Sequence, residues 1–377
     1  MKIEDPAKIP LSLYIHLPWC EKRCPYCDFN IEINKQAGDE DALLKALLED
    51  INNSKKYINN RKFESIYFGG GTPSLVSVEI ISDIISMLKN KYLLKNNCEI
   101  NFELNPKEVN DNYINDLVSI GINRISIGIQ SFDQKTLSVL ERNHTDNDSL
   151  KAVKLLSDLD SVETTIDLIY GVMGQTVDSL KNDIELFCGS KINHLSLYQL
   201  TIEPNTIFYK KELLLPRDTL IENMEVAAKK ILTKNKFKQY EVSSWARKNK
   251  FSKHNLNYWM YGDYIGVGPG AHSKVSSKKE IKRMVKLKAV KSYIENPSKT
   301  HDTYIDTNTY DIDLAMNLLR MKHGVSFEDL ENKGIYITDS FMHKRLDGIN
   351  KQLLEEDGIK ATDIGYKFLN DTVNLFS

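Results

Sequence analysis

The sequence predicts an α/β fold built on a parallel sheet, and three observations predict it. Short apolar runs alternate with longer amphipathic stretches through the first two thirds of the chain. The length, 377 residues, suits one large sheet or barrel with a smaller appended unit. Hydrophobic residues make up 41% and charged residues 27% at a formal net charge of -2, the balance of an ordinary globular protein.

The strand-like runs are Leu11 to Leu17, Ser65 to Gly69, Glu99 to Leu104, Arg124 to Ile129, Glu163 to Ile169 and His194 to Leu200. Between them, Asp41 to Lys55, Val78 to Leu88 and Val177 to Phe187 repeat apolar residues every three or four positions, as a helix with one buried face does. Such alternation gives parallel strands joined by right-handed crossovers, in a doubly wound sheet or a full or partial barrel. Six units are too few for a complete eight-fold barrel.

Composition changes after Lys234. Tyr240 to Ser273 is rich in aromatics and glycine and reads as irregular or β structure. After Thr300 the pattern is helical again, clearest in Asp311 to Lys322 and Asp339 to Asp357. The closing IKATDIGYKFLNDTVNLFS fits a winged-helix-like module. The expected units are residues 1–239, 240–300 and 301–377. A nucleic acid role for the last of these finds little basic charge to support it.

The N-terminal stretch shows no apolar run behind a basic one, so no leader is read there. No segment approaches the ~20 apolar residues of a membrane span. The expected location is the cytosol, where the five cysteines stay reduced. Cys98 and Cys188 stand alone and read as small buried hydrophobes.

Cys20, Cys24 and Cys27 sit directly after the first strand-like run, on the loop at the strand end where α/β folds gather ligands. A four-iron cluster normally takes four thiolates, so three leave one iron open to a small chelating molecule. The alternative is structural zinc, with His16 or Asp28 as the nearest fourth ligand. Gly69 to Ser74 follow the second strand; this glycine run allows close backbone approach to a ligand, or is simply a strand-to-helix turn. Glu103, Gln130 and Asp167 end the next strands, and Arg142 follows a helix. Polar groups at successive strand ends converge on one mouth. Glu103 could equally serve an ion pair with a lysine on a helix.

The Cys20-x3-Cys24-x2-Cys27 spacing, with Tyr26 before the third cysteine, resembles the radical S-adenosylmethionine (SAM) superfamily. That resemblance implies a partial (β/α)6 barrel and a 4Fe–4S cluster held by the three cysteines. The longer YIHLPWCEKRCPYCDFN is similar to the branch that contains anaerobic coproporphyrinogen III oxidases and the HemW haem chaperones. It implies SAM contacts from Tyr14, Tyr26, Gly70, Gly71, Thr72, Glu103, Gln130, Arg142 and Asp167. It also implies reductive cleavage of SAM to a 5′-deoxyadenosyl radical, with an external electron donor, the protein mainly positioning and shielding the cofactors.

Two departures point away from the oxidase. Position 29 is phenylalanine where the oxidase has a further cysteine, and only nineteen residues precede Cys20. The His254-Asn255-Leu256-Asn257-Tyr258-Trp259 segment matches the HNxxYW motif of the HemW group. Histidine suits axial haem ligation and the two aromatics offer a flat apolar face, which makes His254, Tyr258 and Trp259 candidate haem contacts. The alternative for His254 is a structural histidine in an aromatic loop. The expected reading is a haem chaperone with haem as cargo and a haem acceptor as partner, against an oxidase or another tetrapyrrole enzyme. The sequence leaves a homodimer open. GDYIGVGPGAHS, Gly262 to Ser273, is expected to line the mouth across from the cluster.

Overall fold

The computed structural model describes residues 5–211 and 213–377. Six parallel strands form its centre: β1 (Leu11–Leu17), β2 (Phe63–Gly70), β3 (Leu94–Leu104), β4 (Arg124–Gln130), β5 (Glu163–Tyr170) and β6 (His194–Gln199). Each pairs with the next in chain order. Both edges carry further strands. Beside β6 lie β7 (Lys238–Gln239) and β8 (Ser244–Ala246). Beside β1 lie β9 (Asp263–Val267), β10 (His272–Ser276), β11 (Ile281–Lys286) and β12 (Thr300–Ile305). The sheet is thus open and twelve-stranded, in the order β12-β11-β10-β9-β1-β2-β3-β4-β5-β6-β8-β7. This is the expected α/β partial barrel.

A period of two runs through every central strand. In β1, β3 and β4 the apolar members Leu13, Ile15, Ile100, Phe102, Ile125 and Ile127 are buried in the main core. That core includes Leu47, Ile84, Leu117, Leu156 and Ile184, which lie on the crossover helices. The alternate members, Ser12, Tyr14, Asn101, Glu103, Arg124, Ser126, Thr165, Asp167, His194 and Ser196, point the other way, into the barrel. The interior is therefore polar.

The Tyr240–Ser273 stretch departs from expectation, because it contains a helix, Lys253–Trp259. Ser252 caps it by accepting the Asn255 N–H. Glu99 at the base of β3 accepts the N–H groups of Lys253 and His254, each at 3.1 Å, and Arg124 at the base of β4 donates to the carbonyls of Lys250 and Phe251. Two interior charges, paired with each other at 3.4 Å, thus bolt this helix across the barrel floor.

The C-terminal unit has its own core around Leu314, Leu318, Phe341, Leu354, Ile359 and Phe376. Its helix from Asp339 ends at Asn350, earlier than the expected Asp357, because Gln352 turns into the left-handed region and Leu354 pairs with Ala361 in a short hairpin. The unit packs under the floor helix, where Arg320 lies 4.0 Å over the Trp259 ring and bonds Glu241 at 3.1 Å. Among the described residues, no helix is long and apolar enough to cross a membrane.

Strand β9 is anchored to the barrel by a buried charge cluster. Asp263 takes Arg61 at 2.7 Å, Lys274 at 3.3 Å and the hydroxyl of Ser276 at 2.7 Å. Removing one member leaves a buried charge short of its partner. Arg61→Met is therefore expected to cost about 3–5 kcal/mol in urea unfolding with an unchanged m value, far more than a surface ion pair such as Lys191–Asp158.

Candidate cluster and cofactor site

The loop after β1 carries the three cysteines, and backbone bonds shape it. Cys20 N–H donates to the Glu32 carbonyl (3.0 Å), Glu32 N–H to Pro18 (2.8 Å) and Cys27 N–H to Cys24 (3.1 Å). The turn after β2 clamps the same loop from below: Gly71 N–H bonds Leu17 O at 2.8 Å and Thr72 N–H bonds Trp19 O at 2.7 Å. Only glycine fits at 71, since a Cβ there would lie 2.4 Å from Trp19 O, and Gly70 has φ +117°, the left-handed side.

All three cysteines line one cavity of about 450 Å³ that runs from this loop down into the barrel. Tyr26, Gly70, Gly71, Thr72, Glu103, Gln130, Arg142 and Asp167 line it too. The volume lies in the range of small-molecule sites. Thr72 Oγ1 donates to Cys20 Sγ at 3.4 Å, and Arg142 Nη1 reaches Cys24 Sγ and the Tyr26 hydroxyl, each at 3.5 Å. Gln130 holds φ +65° where β4 breaks register with β5. Tyr14 does not line the cavity. It stands one layer behind, its hydroxyl 2.9 Å from His16 Nδ1.

Electrostatics separate the groups. Burial raises the Cys20 thiol, and burial together with the neighbouring thiols pushes Cys27 up to about 11. As thiolates the three cysteines would therefore need a cationic partner, which bound iron would supply. Glu103 is pushed up to about 7 by burial and by Asp167, against the 2.6 Å bond from Tyr67 OH and a 3.2 Å bond from Gly70 N–H. Asp167 is raised to about 6 by burial, with Ser126 donating to it at 2.9 Å.

The donor set fits a cluster better than zinc. Among the described residues, no three His, Cys, Asp or Glu side chains gather closely enough to hold one metal ion. His16 is spent on Tyr14 and, through Nε2, on the Asn30 carbonyl at 2.7 Å. A four-iron cluster spreads its three thiolates over several ångströms, and Cys20, Cys24 and Cys27 would hold it with one iron facing the cavity. Cys98 is buried in β3, its thiol pushed up to about 12 by burial, and Cys188 is half-buried on a helix.

The HNxxYW residues do not form an open haem face. His254 is 2% exposed, its Nδ1 is 2.8 Å from Ser65 Oγ, and burial lowers its pKa to about 3. Arg320 covers Trp259, and Tyr258 packs edge-on against His254 and tilted against Tyr264 at 4.3 Å. None of the three lines the cavity. The helix is a floor, which leaves the three candidate haem residues outside the cavity. Gly262 to Ser273 is also absent from the cavity wall; Pro269 O accepts the Asn30 side chain at 3.0 Å, behind the cluster loop.

Comparison with known proteins supplies the family. The radical SAM superfamily model matches residues 14–187. The haem chaperone HemW of Buchnera aphidicola (Acyrthosiphon pisum, strain APS) is 35% identical over 374 residues, covering 97% of this chain and 98% of its own. The chain belongs to the HemW family of radical SAM proteins. HemW of Escherichia coli K12 is 34% identical over 372 residues, covering 97% and 98%. Among solved structures, coproporphyrinogen III oxidase (HemN) of Escherichia coli superposes with a TM-score of 0.81 at 21% identity, covering 98% of this chain and 90% of that one. At that identity the likeness shows the fold.

The cofactors of this HemW-family chain are a 4Fe–4S cluster and SAM. SAM chemistry comes from the cluster's open iron. Around that site, Thr72 and Arg142 reach the sulfurs of Cys20 and Cys24, and carboxylates and Gln130 line the cavity below. Sequence reading missed the deeper lining, Tyr67, Asn101, Ser126, Thr165, His194 and Ser196. The polar alternation within the strands was the signal for them.

Replacing Cys20, Cys24 or Cys27 with serine is expected to abolish the iron–sulfur absorbance of anaerobically reconstituted protein. Cys98→Ser is expected to leave it unchanged. Iron content measured on the same samples checks both.

Proposed function

We propose that this chain is a haem chaperone of the radical SAM type, which binds haem and passes it to an acceptor protein. The observation that carries the reading is the near full-length relationship to proteins named haem chaperone, 35% identity over 97% of the chain. It extends through the C-terminal unit, well beyond the superfamily match at residues 14–187. The oxidase reading rests on shared fold alone. Phe29, where the oxidase carries a further cysteine, lies exposed on the rim of the cavity.

In this reading Cys20, Cys24 and Cys27 bind the cluster. SAM sits beneath it among Tyr26, Gly70, Gly71, Thr72, Glu103, Gln130, Arg142 and Asp167, with Tyr14 behind them. We place the protein in the cytosol with an external electron donor. With the Lys253–Trp259 helix seated, a porphyrin cannot reach His254, and haem docks elsewhere.

Haem titration of anaerobically purified protein, followed at the haem absorption band, tests this. Saturable binding at micromolar haem is expected, and its absence sinks the chaperone reading. His254→Ala is expected to retain the binding; its loss would restore His254 as the ligand and require the floor helix to open.

A further inference from the structure

The HNxxYW segment is the motif the cofactor cavity leaves unexplained. His254 lies inside the barrel with its ring under that of Tyr67, centroids 4.7 Å apart and planes inclined by 33°. The Tyr67 hydroxyl in turn donates to Glu103 Oε1 at 2.6 Å. We propose that His254 is a positioning residue for Glu103, acting through Tyr67. This rests on the reading of Glu103 as a SAM contact.

Each link is held from outside. Ser65 Oγ lies 2.8 Å from both Ser12 Oγ and His254 Nδ1, a hydrogen-bonded chain that fixes the imidazole ring. The backbone N–H of His254 is anchored on Glu99 at 3.1 Å, and Tyr258 meets the ring edge-on at 5.0 Å. The imidazole thus offers Tyr67 a neutral flat face in a fixed plane. A tyrosine standing on that face keeps its hydroxyl aimed up the barrel axis.

The aim matters because of what surrounds Glu103. From β1 comes Tyr14, from β5 Asp167, and from β6 Tyr198, none of which brings it a positive charge. Arg142 and Arg124 act on Asp167 instead. Among the described residues Tyr67 is the one side chain that donates to Glu103, with Gly70 N–H the backbone donor. SAM carries positive charge on its ammonium and sulfonium groups, and its ribose hydroxyls can donate, so the ionised carboxylate is the form that binds it better. Without a correctly aimed Tyr67 hydroxyl, Glu103 holds its proton to higher pH, and SAM affinity falls as pH drops through that range.

The test is anaerobic SAM binding to the cluster-loaded full chain by equilibrium dialysis, across a pH series spanning neutrality. Tyr67→Phe is expected to weaken SAM binding about tenfold at neutral pH, the loss of one hydrogen bond to a charged group, and to move the pH midpoint upward. His254→Ala should reproduce both effects, and the double variant should add nothing. His254→Leu fills the space without a flat face and should behave alike, which covers a failure of the alanine variant to load its cluster. His254→Phe restores a ring under Tyr67 and should recover the parental midpoint. A lowered melting temperature with an unchanged pH midpoint in both His254→Ala and His254→Leu would overturn the proposal. If Glu103→Gln itself leaves SAM affinity intact, the underlying assignment of Glu103 fails instead.

Discussion

The structure depends on one constraint, that strands apolar on their outer face carry polar side chains inward. Helices cover the outer face and supply the hydrophobic core. The inner face must then satisfy its own hydrogen bonds within a confined space. Ser65 with Ser12, Tyr67 with Glu103, Ser126 with Asp167 and His194 with Tyr240 are such solutions. Where they stop, cavity begins. Asn101 Oδ1 and His194 Nδ1 stay unpartnered on its wall, as groups do where a ligand or water completes the set.

The floor follows from the same constraint. Glu99 and Arg124 are the lowest inward members of their strands, and a buried charge needs more than one partner. They find the backbone of the Lys250–His254 segment, which brings the aromatic motif under the barrel. The C-terminal unit seals the outside of that floor through Arg320, Trp259 and Tyr261, whose hydroxyl bonds Asp313 at 2.6 Å. Cofactor cavity, floor and C-terminal unit thus form one stack.

Much of this was legible in the sequence. Leu11–Leu17 coincides with its predicted run, and the other five central strands lie within a few residues of theirs except β3, which begins earlier at Leu94. Strong local periodicity explains that agreement. The cysteine loop and the strand-end residues were found because motif and strand end coincide. The Lys253–Trp259 helix was missed because its aromatics and neighbouring glycines resemble loop composition, while the forces that hold it come from Glu99 and Arg124, more than 120 residues away. His254 stood open between a haem ligand and a structural histidine for the same reason, since burial by distant elements leaves no local trace. The inward polar residues are visible as an alternation, but only those at the strand ends, Glu103, Gln130 and Asp167, stand where a ligand site is expected.

The clamp on the cysteine loop separates the placing of the thiols from the holding of the rim. Cys20 and Cys27 are set by main-chain bonds to Glu32 and Cys24, and the glycine turn grips the carbonyls of Leu17 and Trp19. None of these bonds asks for a particular side chain at Glu21, Lys22 or Arg23. Their side chains hold the rim instead: Glu21 accepts from Lys107 at 2.8 Å and Asn143 at 3.1 Å, Lys22 pairs with Glu141 at 3.1 Å and Arg23 donates to the Phe29 carbonyl at 3.3 Å, so a change there costs rim contacts and leaves the main-chain clamp on the thiols in place.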